Sequence, residues 1–124
     1  MDDRSAKLDA LEARTLRFAL EVLAFLDETP MPNALRMVMQ QLANAASSVS
    51  ANHRTVRRSR STREFAAKLQ VVNEETDEAV HWLELLNATG KVRSTRLAPL
   101  IEEGRELRAI FSAARRTLKR RMSQ

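Results

Sequence analysis

The sequence predicts an all-α fold, an antiparallel up-down-up-down four-helix bundle that forms a single domain over residues 1–124. Three observations support this prediction. Apolar residues recur three and four positions apart in four separate stretches, which is the spacing of a helix face that packs into a core. The chain has only two glycines and three prolines, so turns are few and the elements must be long. Aromatic residues make up only 4% of the chain, while Ala, Leu, Glu and Arg are abundant, which is typical of helical proteins.

The first helix is predicted over about residues 6–29 and ends where Pro30 and Pro32 turn the chain. Its main apolar seam consists of Leu8, Leu11, Thr15, Phe18, Val22 and Phe25. A second apolar stripe beside this seam consists of Leu16, Leu20 and Leu23. Together the two stripes cover an arc of roughly 220°, which is wider than one core-facing stripe requires. We therefore expect part of this helix to pack against another subunit.

The second helix is predicted over about residues 33–57, with Asn33 as its cap. Residues 37–52 carry no charge, which suits a helix that neighbours cover on several sides. Its seam consists of Leu35, Val38, Leu42, Ala45, Val49, Asn52 and Val56. Asn52 therefore occupies a seam position, and we interpret it as a structural polar residue, a buried amide that fixes the register through hydrogen bonds. A ligand contact is the alternative role for Asn52.

The third and fourth helices are predicted over about residues 61–88 and 95–121. Ser61 and Glu64 have the spacing of a capping box at the start of the third helix. Gly90 is placed to end that helix in the left-handed conformation. Gly104 lies in the seam of the fourth helix, where glycine lowers helix propensity but allows a neighbouring helix to approach closely.

The formal charge is +5, and the basic residues form two clusters. The first cluster, at the corner between the second and third helices, consists of Arg54, Arg57, Arg58, Arg60 and Arg63. The second, near the end of the fourth helix, consists of Arg115, Arg116, Lys119, Arg120 and Arg121. An antiparallel bundle brings both clusters to one pole, which can neutralise several phosphates of a nucleic acid. The alternative is a solubilising surface whose tail cations complement the helix dipole.

Enzymatic activity has little support in this sequence. There is no cysteine nucleophile, no Gly-rich phosphate loop and no Ser/His/Asp set with credible spacing, so we expect no catalytic residues and no cofactor. Glu78 and His81 have the Glu-x-x-His spacing of di-iron bundles, but they flank the seam and lack a second such pair, so we expect no metal site. No run approaches the roughly 18 apolar residues of a membrane span, and the N-terminus lacks the apolar segment of a signal peptide. We therefore expect a cytoplasmic protein with no membrane partner.

Residues 42–90 contain several short motifs at fixed spacing. They are Ala51-Asn52, Arg58-Ser59-Arg60-Ser61, Glu64-Phe65, Lys68-Leu69, Glu74-Glu75, Asp77-Glu78 and Trp82-Leu83-Glu84-Leu85-Leu86. In this pattern the chain resembles the bacterial four helix bundle protein family, the family of the 23S rRNA intervening-sequence proteins. It departs from the family after the Ala-Asn pair, where it has His53-Arg54-Thr55-Val56 in place of the frequent Ile-Ala-Glu-Gly.

The resemblance implies a left-handed antiparallel four-helix bundle that assembles as a ring-like homopentamer with a central channel. Relatives include proteins encoded within inserts in 23S rRNA genes. More distant relatives include the accessory variability determinant of diversity-generating retroelements, which binds nucleic acid and a reverse transcriptase. We therefore expect a non-enzymatic oligomeric accessory protein that binds RNA or DNA through its arginine-rich pole, with a protein such as a reverse transcriptase as a further partner. The alternative is a protein-interaction scaffold with no nucleic-acid partner.

Overall fold

The computed structural model describes residues 3–123, and this range is all-helical, with four long helices and no strand. Helix α1 spans Asp3–Glu28, α2 spans Arg36–Val56, α3 spans Thr62–Thr89 and α4 spans Leu97–Met122. A short 3₁₀ helix, Asn33–Leu35, precedes α2. Each predicted helix boundary agrees with the structure to within about one helical turn. Over the described range, no helix combines the length and the apolar character that crossing a membrane requires.

Neighbouring helices run antiparallel and pack in chain order, with α1 also contacting α4. The antiparallel direction of α3 and α4 follows from the side-chain pairs between them. In successive pairs, the residue number decreases on α3 while it increases on α4. These pairs are Glu84 with Arg105, Asp77 with Arg108 and Asn73 with Ser112. The arrangement is compatible with the predicted four-helix bundle.

All four helices contribute side chains to one core. The largest fully buried side chains are Phe18, Phe25, Phe111, Leu42, Leu83, Leu86 and Leu107. Removal of each such side chain from water stabilises the fold by about 1.5–3 kcal/mol. A Cβ atom at Gly104 would lie 2.8 Å from Val80 Cγ2 and 3.5 Å from Phe18 Cζ. The close approach predicted at Gly104 is therefore confirmed.

Local signals define both ends of α3 as predicted. Ser61 Oγ accepts a hydrogen bond from the backbone N–H of Glu64 at 3.1 Å. The Glu64 carboxylate reaches back to the backbone N–H of Arg60 at 3.2 Å, one residue earlier than in the usual capping box. Gly90 ends the helix with φ 67°, the left-handed conformation that glycine adopts without steric strain.

Two predictions about α2 are wrong. Asn33 does not cap the helix, because it opens the 3₁₀ turn and its side chain instead accepts from Arg36 at 3.2 Å. Asn52 is only half-buried, and the polar side chain inside the core is its neighbour His53, which is 3% exposed. Positions 52 and 53 both lie one turn after Val49, so spacing fits either residue. Packing against Phe111 of α4, with ring centroids 5.8 Å apart, brings His53 into the core.

Candidate nucleic-acid interface

The corner between α2 and α3 is held by hydrogen bonds to the last turn of α2. The backbone N–H groups of Arg58 and Ser59 donate to the carbonyls of Thr55 and Val56 at 3.1 and 3.2 Å. The Ser59 hydroxyl donates to the Val56 carbonyl at 2.6 Å. Because the backbone is held in this way, the side chains of Arg58 and Arg60 lie on the exposed outer side of the turn.

The structure brings the second basic cluster to the same end of the molecule. One groove is lined by Ala66, Ala67 and Gln70 from the first turns of α3 and by Arg115, Lys119 and Met122 from the last turns of α4. We call this end the basic pole. It comprises Arg54, Arg57, Arg58, Arg60, Arg63, Arg115, Arg116, Lys119, Arg120 and Arg121.

Arg57 differs from the other members of the basic pole because its guanidinium has partners on α1. Its Nη1 lies 2.6 Å from Asp9 Oδ1, and its Nη2 donates to the Ser5 carbonyl at 3.4 Å. Arg57 therefore ties the end of α2 to α1. None of the other members has a carboxylate within 4.0 Å among residues 3–123. Except for the half-buried Arg115, those members are exposed.

Carboxylates near the corner already have partners. Glu64 Oε1 lies 3.0 Å from Lys68 Nζ, and that ammonium also donates to the Thr55 carbonyl at 3.2 Å. The hydrogen bond from Lys68 lowers the pKa of Glu64, and the one from the Arg60 backbone lowers it further. Glu64 is therefore held at its own helix terminus and pairs with none of the arginines of the corner.

Sequence reasoning missed two cations that α1 brings to the basic pole. The Arg4 guanidinium carbon lies 4.9 Å from the centroid of the Phe65 ring, in a cation–π contact. Lys7 lies one turn further along α1 and is exposed. The antiparallel topology was the available signal, since it places the start of α1 beside the end of α2.

The middle of α3 carries a cluster of carboxylates, away from the basic pole. Asp77 and Glu84 pair with arginines of α4, but Glu74, Glu75 and Glu78 have no cation within 4.0 Å among the described residues. Burial raises the pKa of Glu75, and the neighbouring carboxylates raise it further. In residues 3–123, no three His, Cys, Asp or Glu side chains are grouped so that they could hold a metal ion.

The chemistry available at the basic pole is anion binding. Guanidinium groups stay protonated and donate paired hydrogen bonds that match the oxygens of a phosphate. Exposed side chains can adjust to phosphates at different spacings, so such a surface recognises a charged backbone more than a particular base.

Comparisons with known proteins address the fold. No family model matches the sequence, and no curated protein matches it. A solved structure, that of a protein of unknown function from the S23 ribosomal protein family of Bacteroides thetaiotaomicron VPI-5482, is similar with a TM-score of 0.74. The alignment covers 89% of this chain and 98% of that one, at 19% sequence identity. The likeness therefore shows that the two proteins share a fold.

Proposed function

We propose that this chain is a non-enzymatic accessory protein that binds the phosphate backbone of RNA or DNA through its basic pole. The supporting observation is that every member of the basic pole except Arg57 lacks a carboxylate within 4.0 Å among residues 3–123. Elsewhere several cations have internal partners, such as Arg14 with Glu103 at 2.6 Å and Arg108 with Asp77 at 2.8 Å. Unpaired cations bind a polyanion favourably, because each phosphate that they neutralise releases condensed counterions.

Such binding reads the shape and charge of the nucleic acid. The chain has no tyrosine, and the Phe65 ring near the corner is half-buried and in contact with Arg4. Stacking of unpaired bases on aromatic rings therefore contributes little. A structured RNA or a duplex, whose phosphates have a fixed spacing, is the expected ligand.

The proposal includes assembly of several copies. The side chains of Leu16, Leu20 and Leu23 on α1 are 51%, 58% and 42% exposed. A groove of about 490 Å³ adjoins this apolar surface at Leu23, and Met31 of the connection between α1 and α2 and Met39 of α2 also line it. Contiguous exposed apolar surface of this kind marks an interaction site. We propose that a second copy covers it in a ring-like homo-oligomer, for which the resemblance implies five subunits and a left-handed bundle.

A protein-interaction scaffold is the second candidate, and one observation favours it. Glu74, Glu75 and Glu78 form an acidic surface beside the half-buried Trp82, and no cation of the described range lies within 4.0 Å of these carboxylates. A basic surface of a partner protein, such as a reverse transcriptase, would complement it.

The test is to measure binding of labelled structured RNA and duplex DNA over a salt series. The variant carries Arg58→Glu and Arg60→Glu, and Arg57 is kept because its contact with Asp9 is structural. The matched control carries Lys91→Glu and Arg93→Glu, two exposed cations in the connection at the other end of the molecule. We expect the pole variant to bind about fiftyfold more weakly near 0.1 M salt and its log–log salt slope to fall by about two. The control should stay within about threefold of the unaltered protein.

Light scattering checks that all three proteins assemble alike. Equal losses in the variant and the control would contradict a specific role for the basic pole. If the unaltered protein fails to bind at about 0.15 M salt, the nucleic-acid function is wrong. Retention of a protein partner without nucleic acid would then support the scaffold.

A further inference from the structure

Charged side chains of α4 meet partners on α3 along one half of the seam between these helices. Arg105 pairs with Glu84, and Arg108 Nη1 lies 2.8 Å from Asp77 Oδ1. About one turn further along α4, the contact becomes neutral, because the Ser112 hydroxyl donates to Asn73 Oδ1 at 3.3 Å. Positions 105, 108 and 112 follow the three- and four-residue spacing of one helix face. The same spacing continues to positions 115 and 119.

At those next two positions α4 presents Arg115 and Lys119, but α3 presents no carboxylate. The opposite wall of the groove is formed by Ala66, Ala67 and Gln70. The alanines have no polar group, and the Gln70 amide donates to Glu74 at 3.0 Å. Neither cation has a carboxylate within 4.0 Å in the part of the chain that the structure describes. The groove, about 290 Å³ in volume, therefore has Arg115 and Lys119 on the α4 wall, with Met122, and only uncharged side chains on the α3 wall.

A second groove continues this surface around the end of α4. It has a volume of about 340 Å³, and Arg116, Lys119, Arg120 and Ser123 line it. Lys119 lines both grooves, so they adjoin each other between the α3–α4 seam and the end of α4.

We propose that the phosphodiester backbone of the bound nucleic acid lies in the α3–α4 groove, where Arg115 and Lys119 contact its phosphates. The small side chains of Ala66 and Ala67 leave room for the nucleic-acid backbone. Its phosphates would take the place of a carboxylate, as Glu84 and Asp77 provide one for the arginines further along the same seam. This inference rests on the proposed function and assigns the phosphate contacts to one groove within the basic pole. The arginines of the corner then act as outer contacts that add affinity.

The test is the substitution Ala67→Glu, which places a carboxylate opposite both cations. Ala67 is exposed, and glutamate has a helix propensity close to that of alanine, so the fold is retained. We expect affinity for labelled RNA to fall about tenfold near 0.1 M salt, with a salt slope lower by about one to two. The matched control, Ala98→Glu, makes the same charge change at an exposed alanine at the start of α4. It should change affinity by less than about twofold.

A second variant removes the cations without placing anything in the groove. Arg115→Gln with Lys119→Gln should lose as much affinity as Ala67→Glu, and circular dichroism and light scattering should show unchanged helicity and assembly for both. If Ala67→Glu binds no more weakly than Ala98→Glu, or if the double variant keeps its affinity, the groove is not the phosphate channel. The proposed function survives that outcome when Arg58→Glu/Arg60→Glu still loses binding. If the unaltered protein binds no nucleic acid, both the function and this inference are wrong.

Discussion

His53 is a buried side chain whose hydrogen bonding is incomplete. Its Nδ1 atom is buried and has no hydrogen-bond partner in the described chain. The two fully buried threonines differ, since Thr15 donates to the Glu12 carbonyl at 3.0 Å and Thr76 to the Val72 carbonyl at 2.7 Å. Burial lowers the pKa of His53, Glu12 partly opposes that shift, and Arg57 adds to it. His53 is therefore neutral in the folded protein at pH 7, with Phe111 against its ring.

We predict that His53→Leu stabilises the protein, and increasingly so as the pH falls. A buried polar atom without a partner costs about 1–3 kcal/mol, so leucine should raise the free energy of unfolding by about 1–2 kcal/mol at pH 7.5. Below about pH 6.5, the unfolded chain binds a proton at this histidine before the folded chain does. The unaltered protein therefore loses stability as the pH falls, and the variant lacks this loss. Between pH 7.5 and 5.5 the gap between them should widen, by at most about 1.4 kcal/mol, which is the limit for a proton that only the unfolded chain binds.

Urea unfolding followed by Trp82 fluorescence measures both effects. Samples need one fixed protomer concentration, because assembly would make the apparent stability depend on concentration. The difference between the two proteins is the informative quantity, since the carboxylates that do not interact with His53 contribute equally to both. A gap that stays constant from pH 7.5 to 5.5 would refute a neutral His53 in the core, and a less stable leucine variant at pH 7.5 would show that the imidazole makes a favourable contact.

Two further predictions concern packing and assembly. Gly104→Ala should lower the free energy of unfolding by about 1 kcal/mol, because overpacking of about 1–3 kcal/mol outweighs the gain of about 1 kcal/mol in helix propensity. In a Val80→Ala background the same change should be neutral or stabilising, because the Cγ2 atom 2.8 Å from the added methyl is gone. Urea unfolding of the four proteins tests this, and an alanine at 104 that stabilises the original background by itself would contradict the close contact. Leu20→Glu, at a side chain that is 58% exposed, should leave helicity unchanged but shift light scattering to a smaller species. The exposed Ala88→Glu serves as its control, and an unchanged assembly in the Leu20 variant would exclude the α1 stripe as the contact between copies.

Short-range features of this chain could be predicted well. The Ser61–Glu64 cap, the left-handed Gly90 and the four helix spans each depend on residues within one or two turns of each other. The heptad spacing also identified most of the core positions of the first two helices, since Phe18, Val22, Phe25, Leu42 and Val49 are all buried. Asn33 was the local exception, because its side chain interacts with Arg36 and a 3₁₀ turn precedes α2.

The candidate site was predicted only in part. Its cations are visible as clusters of sequence neighbours, and an antiparallel topology brings those clusters together. The sequence did not show which cations have partners within the protein, because these contacts join different helices. Arg57 pairs with Asp9, and Arg4 lies against Phe65. The groove at Ala67 was likewise missed, since its distinguishing feature is that α3 has no carboxylate opposite Arg115 and Lys119.

The sequence by itself determined the helices, their caps and the segregation of charge, because periodicity and capping act between residues that are close along the chain. Only the tertiary structure decided that His53 and not Asn52 enters the core, since both positions satisfy the helical spacing. The way α2 is rotated about its axis relative to α4 turns His53 toward Phe111. Tertiary structure also decided which cations remain unpaired, because a charge is neutralised by whatever lies within a few ångströms in space. At the α3–α4 seam, Arg108 lies next to the carboxylate of Asp77 and forms a structural ion pair. Arg115 and Lys119 lie opposite alanines instead, and so they remain available to bind a ligand.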